Sequence, residues 1–199
     1  MKKIILTVAA VFALTFANAQ DKKESSEGFS KGDLYLSGTA NYSSATQGNA
    51  KTSGFTLSPG LGYFLTENIA LEGNLNITSG TSNTGAGPDS KNTGFGIAAG
   101  VKYFWTPASK FSLSVGGKIS YDSNKTDDGV NPSTTGKTIG LNVPVGLNYF
   151  VSSNFALTST WGGLGYSSND NGGNGAPKTD KISLGLDMSS VSFGLLYKL

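Results

Sequence analysis

Along most of its length the chain alternates between one apolar residue and one small or polar residue. Few folds tolerate that pattern for so long. Over 55–65 the odd positions are Phe55, Leu57, Pro59, Leu61, Tyr63 and Leu65, set against Thr56, Ser58, Gly60, Gly62 and Phe64. Over 69–78 Ile69, Leu71, Gly73, Leu75 and Ile77 oppose Ala70, Glu72, Asn74, Asn76 and Thr78. The same period runs through 95–105, 111–121, 139–151 and 155–161. Successive side chains on a strand point to opposite faces, so each segment reads as a strand with one apolar and one polar face. A weaker strand over 34–42 opens the series. The segment 182–199 closes it and changes parity near Ser189 and Ser190, as a β-bulge would require. The count is eight strands.

One phrase recurs where strands meet. "GYFLTENIAL" at 62–71 returns as "KYFWTPASKFSL" at 102–113 and as "NYFVSSNFAL" at 148–157. Each time an aromatic pair precedes a short polar turn (66–68, 106–110 and 152–154), and a new apolar run follows. The other connections, roughly 43–54, 79–93, 123–137 and 167–180, are long and rich in Gly, Asn, Ser, Thr and Asp. Short turns at one end and long loops at the other describe an up-and-down meander. A repeat near 40 residues also suits a propeller blade, but a blade needs four strands per repeat and these units hold two.

The first residues stand apart from this pattern. Lys2 and Lys3 precede an apolar run from Ile4 to Phe16, and Ala17-Asn18-Ala19 has the small-x-small form of a cleavage site. Residues 1–19 therefore read as a signal peptide, and 20–31, "QDKKESSEGFSK", as a flexible N-terminal tail. Residues 32–199 form one β domain. Removing Lys2 and Lys3 lowers the basic count from 15 to 13, equal to the 13 acidic residues. A neutral chain without basic clusters is a poor partner for nucleic acid. It has no Cys for a disulfide or thiolate site and no His for general-base work.

Alternation alone does not distinguish a membrane barrel from a soluble one. The polar face is the better guide. It carries mainly Gly, Ala, Ser, Thr and Asn, where a water-facing surface would carry large charged groups. Small side chains suit the crowded lumen of an eight-stranded barrel. The strand charges Glu72, Lys102, Lys118, Asp122, Asp187 and Lys198 also lie on this face. The aromatics form two groups. Tyr63, Phe64, Tyr103, Phe104, Trp105, Tyr149, Phe150 and Tyr197 crowd the short-turn end, while Trp161 lies with Tyr42, Phe55, Phe95, Tyr121 and Tyr166 toward the other. Nine residue steps from Phe55 to Phe64, at about 3.3 Å each and tilted near 40°, span roughly 23 Å, close to the ~25 Å apolar band of outer-membrane barrels.

These strand–"GYF"–turn units, with the alternating final strand, resemble the OmpA/OmpX-like eight-stranded outer membrane β-barrel domain family. The "FANAQ" region resembles Bacteroidetes signal peptides. The resemblance implies an all-β, eight-stranded antiparallel up-and-down transmembrane barrel in the outer membrane of a Gram-negative cell. It further implies outer-membrane lipids as surroundings and the barrel-assembly machinery as a partner during biogenesis. Family members usually end in an aromatic residue, and this chain ends in Leu199. Pro59 and Pro144 each remove a ladder donor, so bulges are expected beside them.

Motifs for chemistry are sparse. "TTGKT" at 134–138 has Asn131 where a phosphate loop needs Gly, and it opens no helix. "YDSNKTDDG" at 121–129 carries oxygen ligands without a complete calcium-loop spacing. No catalytic residue, cofactor or metal is assigned. Glu72 and Lys102, each three residues from the short-turn end of neighbouring strands, are expected to pair inside the lumen, joined by Lys118 or Lys198. The expected girdle at the membrane boundary comprises Tyr63, Phe64, Tyr103, Phe104, Trp105, Tyr149, Phe150, Trp161 and Tyr197. The function this supports is structural or interactive, carried by the extracellular loops toward extracellular or periplasmic partners. A narrow ion or small-solute channel and a periplasmic lipocalin-like binder are the alternatives.

Overall fold

The computed structural model describes residues 28–172, 175–185 and 192–199. The strands are β1 (Leu34–Gln47), β2 (Ala50–Phe64), β3 (Ile69–Asn83), β4 (Ser90–Trp105), β5 (Phe111–Asp127), β6 (Thr134–Phe150), β7 (Phe155–Asn169), β8 (Thr179–Gly185) and β9 (Ser192–Lys198). Each strand from β1 to β7 pairs antiparallel with the next. β8 and β9 share the remaining edge of β7, so nine segments fill eight positions. β9 also pairs with β1, from Tyr35↔Lys198 to Gly38↔Leu195, and this closes the sheet. The result is a closed, all-antiparallel, eight-stranded barrel. The signal peptide, residues 20–27 of the expected tail, Asp187 and the expected bulge at Ser189 and Ser190 lie outside the described residues. The described flanks agree with the change of parity: Ile182 and Leu184 face outward before it, Phe193 and Leu195 after it.

The repeated corner is a hydrogen-bonding device. Thr66 Oγ1 accepts from the amides of Asn68 and Ile69, and Ser152 Oγ accepts from that of Phe155. Asn68 Nδ2 donates to the Phe104 carbonyl, and Asn154 Nδ2 to the Lys198 carbonyl, both at 2.9 Å. One backbone bond repeats at all four strand ends. The amides of Phe64, Phe104, Phe150 and Lys198 donate to the carbonyls of Asp33, Asn68, Lys110 and Asn154, respectively. The recurring words in the sequence thus mark a fourfold repeat that stitches neighbouring hairpins together at the short-turn end.

The long loops are shorter than the composition suggested. Strand pairing continues into the Ser/Thr/Asn stretches, leaving connections only at 48–49, 84–89, 128–133 and 170–178. Polar strands of this kind lack apolar alternation but still pair. Thr52 sits opposite Ser82, for example, with their hydroxyls 3.3 Å apart.

The two prolines behave differently. At Pro59 the β2–β3 register is the same on both sides of the residue, so the expected bulge does not form there. Pro59 keeps its place opposite Gly38 on β1. At Pro144 the bulge is present, and the extra residue is supplied by the neighbouring strand. Pro144 opposes Gly163 while Val145 opposes Trp161, leaving Gly162 unpaired in β7. Gly162 and Gly163 have φ of 46° and 116°, values that favour glycine. A Cβ on Gly163 would press on the backbone of Val143. Gly163→Ala should therefore cost about 1–3 kcal/mol. Gly117→Ala, where a Cβ meets nothing within 4 Å, should cost less. Urea unfolding of the refolded barrel in detergent would measure both.

Candidate functional site

The candidate site is the lumen, which is built in three layers. The lowest layer is aromatic. Phe64 and Phe150 end β2 and β6, and Phe104 is the last but one residue of β4; all three lie on the parity that faces inward, and each is fully buried. Their rings surround Phe29, whose centroid lies 4.6 Å from Phe64, 5.4 Å from Phe104 and 4.9 Å from Phe150. Tyr35 lies 5.4 Å from Phe29, and Ala70, Ala156 and Leu196 complete the cluster. Stacked and edge-on arrangements at these distances suit aromatic quadrupoles and add to the burial itself.

Two expectations change here. Gly28 to Lys31 were expected to belong to a flexible tail, yet Phe29 is buried at the centre of the floor. Phe64, Phe104 and Phe150 were expected at the membrane boundary, yet they fill the lumen. Neighbouring residues on a strand point to opposite faces, so only one of each aromatic pair can meet lipid. The outward member is the tyrosine. Tyr63, Tyr103 and Tyr149 are exposed, as is Trp105. Tyr197 and Trp161 are part-buried. Trp161, opposite Val145, lies only six residues into β7, nearer mid-strand than Tyr166.

Directly above the floor is the charged layer. Lys102 Nζ lies 2.7 Å from Glu72 Oε1, as the sequence suggested, and the Tyr35 hydroxyl donates to the same oxygen. Glu72 is buried, and Lys102 keeps 23% of its side chain accessible. Lys118 Nζ makes a long contact of 3.5 Å to Asn74 Oδ1 on the far side of this layer. Lys198 was expected, as the alternative to Lys118, to join the pair. It instead bonds the Gly28 carbonyl at 2.6 Å and lies 3.9 Å from Asp33. Asp122 sits higher, where Asn76 Nδ2 donates to it at 3.4 Å.

The third layer is a polar cavity of about 390 Å³ whose lining includes Ser58, Asn74, Asn76, Ser114, Lys118 and Asp122. Among the described residues no cluster of three or more metal-ligating side chains occurs. At the opposite end, the Asp128 carboxylate accepts from the Val130 and Asn131 amides and from Asn131 Nδ2. These bonds, led by that of the Asn131 side chain, hold its pKa down to about 2. Asp127 and Asp128, at the end of the acidic run at 121–129, are thus turn acceptors, Asp127 accepting from the Gly129 amide, while Asp122 faces the lumen. Tyr35 and Phe29 were the lumen residues that sequence reasoning missed. Tyr35 lay in the weakest strand signal, and Phe29 was an isolated aromatic in a polar stretch.

A family model described as "Outer membrane protein beta-barrel domain" matches residues 6–189. The chain belongs to that family. This agrees with the expected OmpA/OmpX-like class and makes the apolar outer face of the barrel a lipid-facing surface in the outer membrane. No curated protein sequence matches the chain. Neisserial surface protein A is 19% identical over 83% of this chain and 97% of its own, with a TM-score of 0.47. The N-terminal barrel of Pseudomonas aeruginosa OprF is 12% identical over 86% of this chain and 100% of its own, at 0.49. Ail, the attachment invasion locus protein of Yersinia pestis, is 16% identical over 85% of this chain and 99% of its own, at 0.48.

Two outcomes follow for this family member. Glu72→Gln leaves Lys102 without its anion and should destabilise the barrel by about 3 kcal/mol, the low end for a broken buried pair because Lys102 is partly accessible. Adding Lys102→Met should recover part of that loss, as read by the heat-dependent gel shift. The Asp128 turn is favoured above the ordinary carboxylate pKa and is lost as pH falls through about 2. Amide shifts of Val130 and Asn131 should therefore hardly change between pH 6 and about pH 3, where an unperturbed Asp is already mostly protonated.

Proposed function

We propose that this chain is an exported outer-membrane barrel with a closed lumen, and that it acts through its surfaces in a structural or adhesive role. The observation that carries this reading is the floor, where Phe29, Tyr35, Phe64, Phe104 and Phe150 are fully buried across the lumen. Such a floor opposes a continuous water path and disfavours the channel alternative. The lipocalin-like alternative is opposed by the outer face, which exposes Leu61, Leu71, Ile97, Val101, Ile119 and Leu141 along its apolar band. In this reading residues 1–19 are a cleaved signal peptide. The barrel-assembly machinery inserts the chain among outer-membrane lipids, with no cofactor and no catalytic step.

The surfaces left to act are the four hairpin ends, which extend the strands beyond the apolar band in Ser, Thr, Asn and Gly. Asn83 Nδ2 to Asp89 and Asn171 Nδ2 to the Pro177 carbonyl hold two of them in shape. Such polar, well-formed projections suit contact with a protein or a neighbouring surface. Planar-bilayer recording of the refolded barrel tests the reading. It predicts no stable open state, and a steady single-channel conductance would support the channel instead.

A further inference from the structure

We infer that residues 28–33 form a strap across the short-turn mouth of the barrel, and that Phe29 on this strap is the stopper of the lumen. Closure then belongs to a segment outside the barrel wall. The strap starts from β1, with Gly32 N donating to the Phe64 carbonyl at 2.9 Å. It reaches the turn between β4 and β5, where Phe29 N donates to the Pro107 carbonyl at 2.7 Å. In an eight-position barrel that turn lies across the mouth from β1. The strap spans the opening.

The fourfold repeat explains why a stopper from elsewhere is required. Three of the four equivalent strand ends place a phenylalanine inward, and the fourth places Lys198. Lys198 leaves a gap in the aromatic ring, and its ammonium holds the Gly28 carbonyl, so the residue that opens the gap also anchors the strap. Phe29 then fills the axis between the three wall rings. Asp33 adds a local tie by accepting from Ser30 N at 2.8 Å.

Gly28 shows how closely the strap is seated. Its φ is 95°, and a Cβ there would lie 2.6 Å from the Pro107 oxygen and 2.7 Å from the Ala108 oxygen. Backbone cannot yield as the end of a flexible side chain does, so any side chain at 28 lifts the strap. Two changes with separate causes should therefore unseat it. Phe29→Ala removes the stopper, and Gly28→Ala displaces its support. Neither replaces a residue of a wall strand.

The chain has no cysteine, so one introduced thiol reports access cleanly. Ser112, next to the floor and opposite Asn148, is 1% exposed. Ser120 lines the open polar cavity. In the full mature chain, refolded in detergent, the thiol of Ser112→Cys should resist a charged thiosulfonate reagent. Phe29→Ala and Gly28→Ala should each raise its rate about tenfold or more, since protection of a buried site follows the free energy of the opening that exposes it. The thiol of Ser120→Cys should react at one rate in all backgrounds. The inference is overturned if neither variant changes the rate at position 112, or if the rate at 120 rises equally, which would report general loosening. Failure of either variant to form a heat-modifiable barrel would also overturn it, because the strap would then be part of the wall.

Discussion

A hydrogen-bond ladder that closes on itself is the constraint from which the rest of this protein follows. Inside a membrane no water satisfies a backbone amide or carbonyl, and a sheet meets that demand only by having no edge. Here the demand rests on a narrow seam, Tyr35 to Gly38 of β1 against Leu195 to Lys198 of β9. The short-turn end reinforces it. Leu199 N donates to the Leu34 carbonyl, and the fourfold bond from each inward strand end to its neighbour ties the same rim. Closure in turn sets the two faces: apolar residues outward toward lipid, and small residues inward where an eight-stranded lumen has little room.

The lumen resolves its polar content by height. Aromatic rings at the floor exclude water, and the Glu72–Lys102 pair with the Tyr35 hydroxyl sits immediately above them. Serines, asparagines, Lys118 and Asp122 line the polar cavity beyond. A buried carboxylate is costly unless paired and hydrogen-bonded, and Glu72 has both an ammonium and a hydroxyl within reach. The arrangement is that of a polar chamber closed by aromatic rings at the short-turn end. The parts free to meet other molecules are the lipid-facing band and the polar hairpin ends.

Much of this was legible in the sequence because strands report their faces through parity. Alternation located the strands, the three short corners and the facing charges on β3 and β4. It also contained the correction to the girdle: Phe64 shares parity with Gly60 and Gly62, and Phe104 with Lys102, so both belonged to the lumen. The adjacency of Tyr and Phe in each pair masks their opposite facing. Phe29 was not legible, because its burial depends on contacts with Phe64, Phe104 and Phe150 from three distant strands. The hairpin lengths were hidden for a different reason. Above the apolar band both faces are polar, so pairing continues after the period-two signal has gone. Pro144 announced a bulge, but the residue that absorbs it, Gly162, lies on the neighbouring strand.

The whole structure rests on a ladder that closes between the first strand and the last. Amide hydrogen exchange of the barrel in lipid nanodiscs tests it most directly. The amides bridging Tyr35–Gly38 and Leu195–Lys198 should exchange as slowly as those in the middle of β4 and β5. Fast exchange at that seam, beside slow exchange elsewhere, would mean an open sheet and would contradict that closure.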